Sequence, residues 1–91
     1  MSITVRIPTP LRRITGGASK VEALGSTVRE SLDHLVAQYP ELGERIYDEN
    51  HQPRRFVNLF VDGEDIRFLN GLETAVADGA ELSIVPAVAG G

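Results

Sequence analysis

Covalent chemistry needs a reactive group and a neighbour that activates it, and this sequence offers few such pairs. It contains no cysteine. A disulfide framework, a thiolate metal site and a cysteine persulfide are therefore all excluded. The two histidines stand apart. His34 falls within a helical pattern and His51 in a polar stretch, with Asp33 and the Asp48-Glu49 pair as the nearest carboxylates. Both read as solvated or partly packed side chains. No serine has a convincing histidine and acid pair, so no triad can be argued. "VDGED" gathers Asp62, Glu64 and Asp65, but the ligand spacing of a calcium loop is absent, and acidic shoulders on a turn explain it better. "TGGASK" lacks the spacing of a phosphate-binding loop and is not followed directly by a helix. Arg12-Arg13 and Arg54-Arg55 read as solvated charges, with the steering of acidic partner loops as the alternative.

What remains is the end of the sequence, "PAVAGG". A free α-carboxylate on Gly91 is inert to nucleophiles, because attack would have to expel oxide. Joined to AMP it becomes a mixed anhydride, a good acyl donor. No nucleotide site is legible in the chain, so the ATP would be bound by a partner. The residues beside the carboxylate must then thread into that partner. Gly90 has no Cβ to clash and reaches unusual backbone angles, and Ala87, Val88 and Ala89 are small and extend easily. The expected division is a domain over residues 1–86 and a flexible Gly-Gly tail over 87–91, with Pro86 to Gly90 contacting the partner and Gly91 as the modified residue. A frayed terminus is the bland alternative.

The elements that would present this tail are readable. "SITVRI" alternates, with Ile3, Val5 and Ile7 on one face, as in a half-buried strand. Pro8 and Pro10 end it. "SKVEAL" reads as a second strand with Val21 and Ala23 inward. Thr27 and Glu30 form a capping box, and Val28, Leu32, Leu35, Val36 and Tyr39 make one apolar stripe that Pro40 stops. "ELGERI" can add a helical turn anchored by Leu42 and Ile46. "RFVNLFVDGEDIRF" predicts a hairpin about a type I′ turn at Asp62-Gly63. Its register pairs Val61 with Glu64, Phe60 with Asp65, Leu59 with Ile66, Asn58 with Arg67 and Val57 with Phe68. Val57, Leu59, Ile66 and Phe68 then face the core. Phe60 and Arg67 face solvent and, with Val85 of the last strand, make a candidate docking patch. "AELSIVP" is the last strand, with Leu82 and Ile84 inward.

The order β-β-α-β-β-β predicts an α+β fold of the β-grasp type. A mixed sheet of four or five strands would carry one main helix on one face, with the first and last strands parallel at its centre. The 91 residues fit one domain, with no internal repeat or dividing linker. Thirteen acidic against nine basic residues give a net charge of −4. That argues against a general nucleic-acid or anionic-membrane binder. "MSITVRIPTP" lacks the basic and apolar runs of a signal peptide, and no stretch is long and apolar enough to span a bilayer, so a cytoplasmic location is expected.

From "ITVRIPTPLR" through "RFVNLFVDGEDIRF" to "VADGAELSIVPAVAGG" the chain resembles the ubiquitin-like sulfur carriers of the MoaD/ThiS family, and within it the CysO-type carriers of cysteine biosynthesis. The resemblance implies a protein cosubstrate, not an enzyme, with no cofactor of its own. A ThiF/MoeB-type activating enzyme would use ATP to adenylylate Gly91, and the acyl adenylate would become a thiocarboxylate. A sulfur-accepting enzyme, for the CysO type a PLP-dependent cysteine synthase, would take the sulfur, and a metalloprotease would trim the adduct. Carriers for molybdopterin, thiazole or thio-sugar synthesis share the pattern. A protein modifier that forms isopeptide bonds through the same glycine is the alternative function, and a plain interaction module is a third.

Overall fold

Strand β1 (Ser2–Arg6) lies parallel to β5 (Glu81–Pro86) in the middle of a five-stranded sheet, although some 75 residues separate them in sequence. The computed structural model describes residues 2–86. Thr4 pairs with Glu81, Val5 with Leu82 and Arg6 with Ser83. The other strands add outward, all antiparallel to their neighbours. β2 (Lys20–Leu24) flanks β1; β3 (Val57–Val61) flanks β5 and carries β4 (Glu64–Asp65) at the far edge. The strand order β2-β1-β5-β3-β4, with helices on one face, is the β-grasp arrangement.

The alternation in the first strand places Ile3, Val5 and Ile7 in the core at no more than 1% exposure. Two helices cover this face. In α1 (Val28–Gln38) the inward residues are Val28, Ser31, Leu32 and Leu35. The capping box forms with a one-residue offset. Thr27 Oγ1 accepts the Glu30 amide at 3.2 Å, while Glu30 Oε1 accepts the amide of Ser26, at 2.8 Å. Pro40 ends α1 and also opens α2 (Pro40–Ile46) as its first residue, where a missing N–H costs nothing. The expected extra turn is thus a second short helix. It buries Leu42 and Ile46 completely, each contributing roughly 1.5–3 kcal/mol of transfer free energy.

The hairpin is shorter than its sequence suggests. The turn is as expected, since Asp62 and Gly63 both have positive φ (49° and 89°), the signature of type I′. Val61 pairs with Glu64 and Phe60 with Asp65, and there the ladder stops. The expected pairs Leu59–Ile66, Asn58–Arg67 and Val57–Phe68 do not form. Asp65 accepts the Arg67 amide at 2.9 Å through its side chain and so caps a 3₁₀ turn over Ile66–Phe68. Ile66 still reaches the core, at 5% exposure, but Phe68 is swung out to 85%. A turn advances side chains by about 120° per residue, so the two can no longer share the face that strand alternation would have given them.

Gly25, between β2 and α1, lies close against the first turn of α1. A Cβ there would lie 2.6 Å from the Ser31 amide nitrogen and 2.7 Å from its hydroxyl, and Ser31 is fully buried. Gly25→Ala should lower stability by about 1–3 kcal/mol, as overpacking does, with the helical signal of the native state retained. Urea denaturation measures this; an unchanged midpoint would show that the junction relaxes at no cost.

Candidate functional site

The candidate site lies at the end of β5. Its last described residue, Pro86, pairs with Val57, and Val85 pairs with Asn58. The expected site residues Ala87, Val88, Ala89, Gly90 and Gly91 lie outside the described residues. Proline has no N–H to extend the ladder.

On the face away from the helices, the register sets one row of residues across the sheet: Lys20, Arg6, Ser83, Phe60 and Asp65. Phe60 is half-buried in this row. Val85 stands beside it on the same face, 42% exposed. Arg67 does not face Asn58 as a strand partner. It folds back onto Asp65, with Nε 3.1 Å from Oδ1 and Nη2 2.6 Å from Oδ2. The side chain of Asp65 is only a tenth exposed, whereas that of Arg67 is about two-thirds exposed. Phe60, Val85 and Arg67 thus belong to one side of the sheet, with Arg67 reaching it through Asp65.

Two clefts flank the strand end. One, of about 370 Å³, is lined by Arg6, Pro8, Arg12, Val85 and Pro86 among others. The other, of about 350 Å³, lies across β3 between the 52–55 segment and the 3₁₀ turn, and Arg54, Arg55 and Arg67 line it above Val57, Leu59 and Ile66. Three further exposed apolar residues escaped the sequence reading: Phe56 at 54%, Leu69 at 39% and Leu24 at 54%. Leu24 follows the inward Ala23 and so stands on the outer face, where it pairs with Ser2.

The histidines are occupied structurally. His34 Nδ1 accepts the Leu24 amide at 3.1 Å and lies 3.0 Å from the Gln38 amide nitrogen. His51 stacks on Tyr47 with ring centroids 4.0 Å apart, and its Nε2 lies 3.1 Å from Asp33 Oδ1. The Tyr47 hydroxyl donates to the same oxygen at 3.1 Å. Burial first, then the charge and hydrogen bond of Asp33, push the Tyr47 phenol well above its ordinary value, with Arg29 opposing. This cluster ties the 48–52 loop to α1, and sequence reasoning missed it because helix and loop partners 18 residues apart leave no periodic signal. Among the described residues no group of three or more acidic or histidine side chains is placed to hold a metal. No serine hydroxyl there hydrogen-bonds a histidine.

A family model described as the ThiS family matches residues 5–91. The chain belongs to the ThiS family. This ThiS family member is 47% identical over 93 residues to the sulfur carrier protein CysO of Mycobacterium tuberculosis, with the whole of both chains aligned. Its fold superimposes on a crystal structure of the Amycolatopsis orientalis BexX/CysO complex with a TM-score of 0.90 at 47% identity, covering 98% of this chain and 99% of that one. The M. tuberculosis CysO crystal structure matches with a TM-score of 0.88 at 45% identity, over 94% and 99%. No helix among the described residues is long and apolar enough to cross a membrane.

The Asp65–Arg67 clamp makes a pH-dependent prediction. The side-chain hydrogen bonds from Arg67, then the Arg67 amide, hold the Asp65 carboxyl below its ordinary value of 3.8. A carboxylate with a lowered folded value stabilises the fold above its unfolded value, and this contribution is lost as the pH falls through the lowered one. NMR titration should therefore place Asp65 below 3.8 in the wild type and closer to it in Arg67→Ala. Equal titration in both would remove the clamp from the account.

Proposed function

We propose that this chain is a sulfur carrier whose Gly91 carboxylate is the working group. The observation that carries the reading is the alignment with CysO, which runs over all of both chains at 47% identity and so includes the Gly90-Gly91 pair. The absence of cysteine supports it, since any sulfur borne by a reactive group must then sit on the terminal carboxyl. A ThiF/MoeB-type activating enzyme would bind ATP, and the Gly91 carboxylate would attack its α-phosphorus and release pyrophosphate. Sulfide, delivered by a donor, would then attack the acyl carbon and release AMP, leaving a thiocarboxylate. The sulfur would pass to a PLP-dependent cysteine synthase, with a metalloprotease releasing cysteine from the adduct. Those activities belong to the partners; this chain supplies the tail and the surface that seats it. The A. orientalis relative, solved as a BexX/CysO complex, supports a partner that docks on this fold.

The proposed tail follows Pro86, the last residue of β5, and Phe60, Val85 and Arg67 would offer the adjoining contact. Gly90 allows the close approach that a Cβ would block.

Incubated with ATP, the activating enzyme and sulfide, the chain should exchange one oxygen for one sulfur at Gly91, read by intact mass and peptide mapping. Deleting Gly90 and Gly91 should abolish the reaction and leave thermal unfolding unchanged, because the described core lies within residues 2–86. Sulfur mapped to an internal peptide, or isopeptide-linked conjugates in place of a thiocarboxylate, would overturn the carrier reading.

For the docking face, Phe60→Ala should weaken binding of the activating enzyme roughly thirtyfold, the effect of losing an aromatic anchor of about 2 kcal/mol. Calorimetry gives the affinity and circular dichroism the folding control. Unchanged affinity would move the docking surface elsewhere.

A further inference from the structure

The two clefts beside the strand end have a charge composition at odds with the whole chain. Arg6 and Arg12 line one; Arg54, Arg55 and Arg67 line the other. The single carboxylate among the linings of both is Asp65, and Arg67 already neutralises it. Yet the chain as a whole carries a net charge of −4. The clefts flank the exit, because Pro86 lines the first and its ladder partner Val57 lines the second.

Three of these arginines have no carboxylate partner among the described residues. Arg12 gives its Nε to the Ile7 carbonyl at 3.0 Å, and Arg54 gives its Nε to the Glu44 carbonyl at 2.8 Å. Both bonds position the guanidinium without cancelling its charge. Arg55 is exposed and enters no ion pair within the described chain. A carboxylate would therefore find three guanidiniums free of ion pairs, those of Arg12 and Arg54 held in place, and arginine binds carboxylates in a bidentate way.

Glu44, Asp48 and Glu49 line a separate cleft on the far side of Arg54, and a second group of carboxylates sits at the other end of the strands. Asp78 Oδ1 accepts the Ser2 amide at 2.9 Å, Asp62 Oδ1 accepts the Glu81 amide at 3.0 Å, and Glu22 reaches the Ser2 hydroxyl at 3.3 Å. The sheet is thus polarised along its strands, cationic where β5 ends and anionic where it begins.

From this arrangement we infer that the arginines around the strand exit form a steering collar for an acidic rim around the tail channel of the activating enzyme. The exposed apolar surface of each cleft, Val57 on one side and Val85 with Pro86 on the other, calls for rim carboxylates interleaved with apolar side chains. The polarity turns the carrier so that its tail end approaches first. Like-charge repulsion between the rim and the Asp62–Asp78 end disfavours the reversed approach. This inference rests on the carrier reading and adds to it the charge of the surface that receives the tail.

The test is stopped-flow association of the full chain with its activating enzyme over a range of salt concentrations. Arg54→Gln with Arg55→Gln should slow association about tenfold at low salt, within the range that steering supplies. The gap should close at high salt as the charges are screened. Ala37→Glu with Ala77→Glu changes the net charge by the same two units at exposed positions outside both clefts. That pair should associate at the wild-type rate. Circular dichroism confirms that each variant is folded. Equal slowing by both pairs would reduce the effect to net charge and overturn the collar. A rate independent of salt would do the same, as would loss of binding to a single-stranded oligonucleotide with enzyme association untouched. In each of those outcomes wild-type adenylylation persists and the carrier reading stands. Failure of the wild type to be adenylylated overturns both.

Discussion

The parallel pairing of β1 with β5 is the constraint on which the rest of the molecule depends. It joins the two extremes of the described chain and sets Val5 against Leu82 under α1, both with no exposure. Its register is reinforced beyond the ladder. Gly79 donates to the Ser2 carbonyl at 2.8 Å, Thr4 donates to the Ala80 carbonyl at 2.9 Å, and Asp78 receives the Ser2 amide. A slip of one residue would turn Leu82 and Ile84 outward and bring Ser83 and Val85 into the core. Such a long-range pair is entropically costly to close, though the cost grows only logarithmically with the loop. The segment between is not idle: it supplies both helices, which bury the inner face, and β3, which flanks β5.

That pairing also sets where function can be exercised. Because β5 is central and parallel to β1, its end emerges between the β1–β2 connection and the start of β3. The segment carrying Pro8 to Arg12 comes to one side, and the segment carrying Arg54 and Arg55 to the other. A fold with β5 on an edge would present its tail beside one neighbour only. Here the tail root is framed by two clefts and an outer sheet face that no helix covers.

Away from the exit, polar clusters hold the loops. Tyr47, His51 and Asp33 lock the 48–52 segment to α1, and Asp48 closes that segment by accepting the amides of Asn50 and Gln52 at 2.8 and 3.0 Å. Arg29 bridges α1 to Glu73 at 3.0 Å. These contacts fix the start of β3, and so the arginines that precede it, without entering the site themselves.

Local periodicity and turn chemistry are physical properties of short segments, so they were legible in the sequence alone. The alternation of β1, the capping of α1 by Thr27, the Asp62-Gly63 turn and the inward Leu82 and Ile84 all follow from them. So did the α+β order, with first and last strands adjacent. The Gly90-Gly91 pair proposed to carry the acyl chemistry was likewise a sequence feature, and it lies outside the described residues. Tertiary structure decided what depends on competition between partners. β3 offers two edges; β5 took one along five residues, and the capping by Asp65 ended the other after two pairs. That is why Phe68 is outside and Arg67 turns back on its own segment. Pro40 was a stop signal and became a start, because Leu42 and Ile46 had a core to enter. The convergence of Arg6 and Arg12 with Arg54, Arg55 and Arg67 was beyond any sequence pattern, since it needs the central strand to bring two distant loops to the same exit.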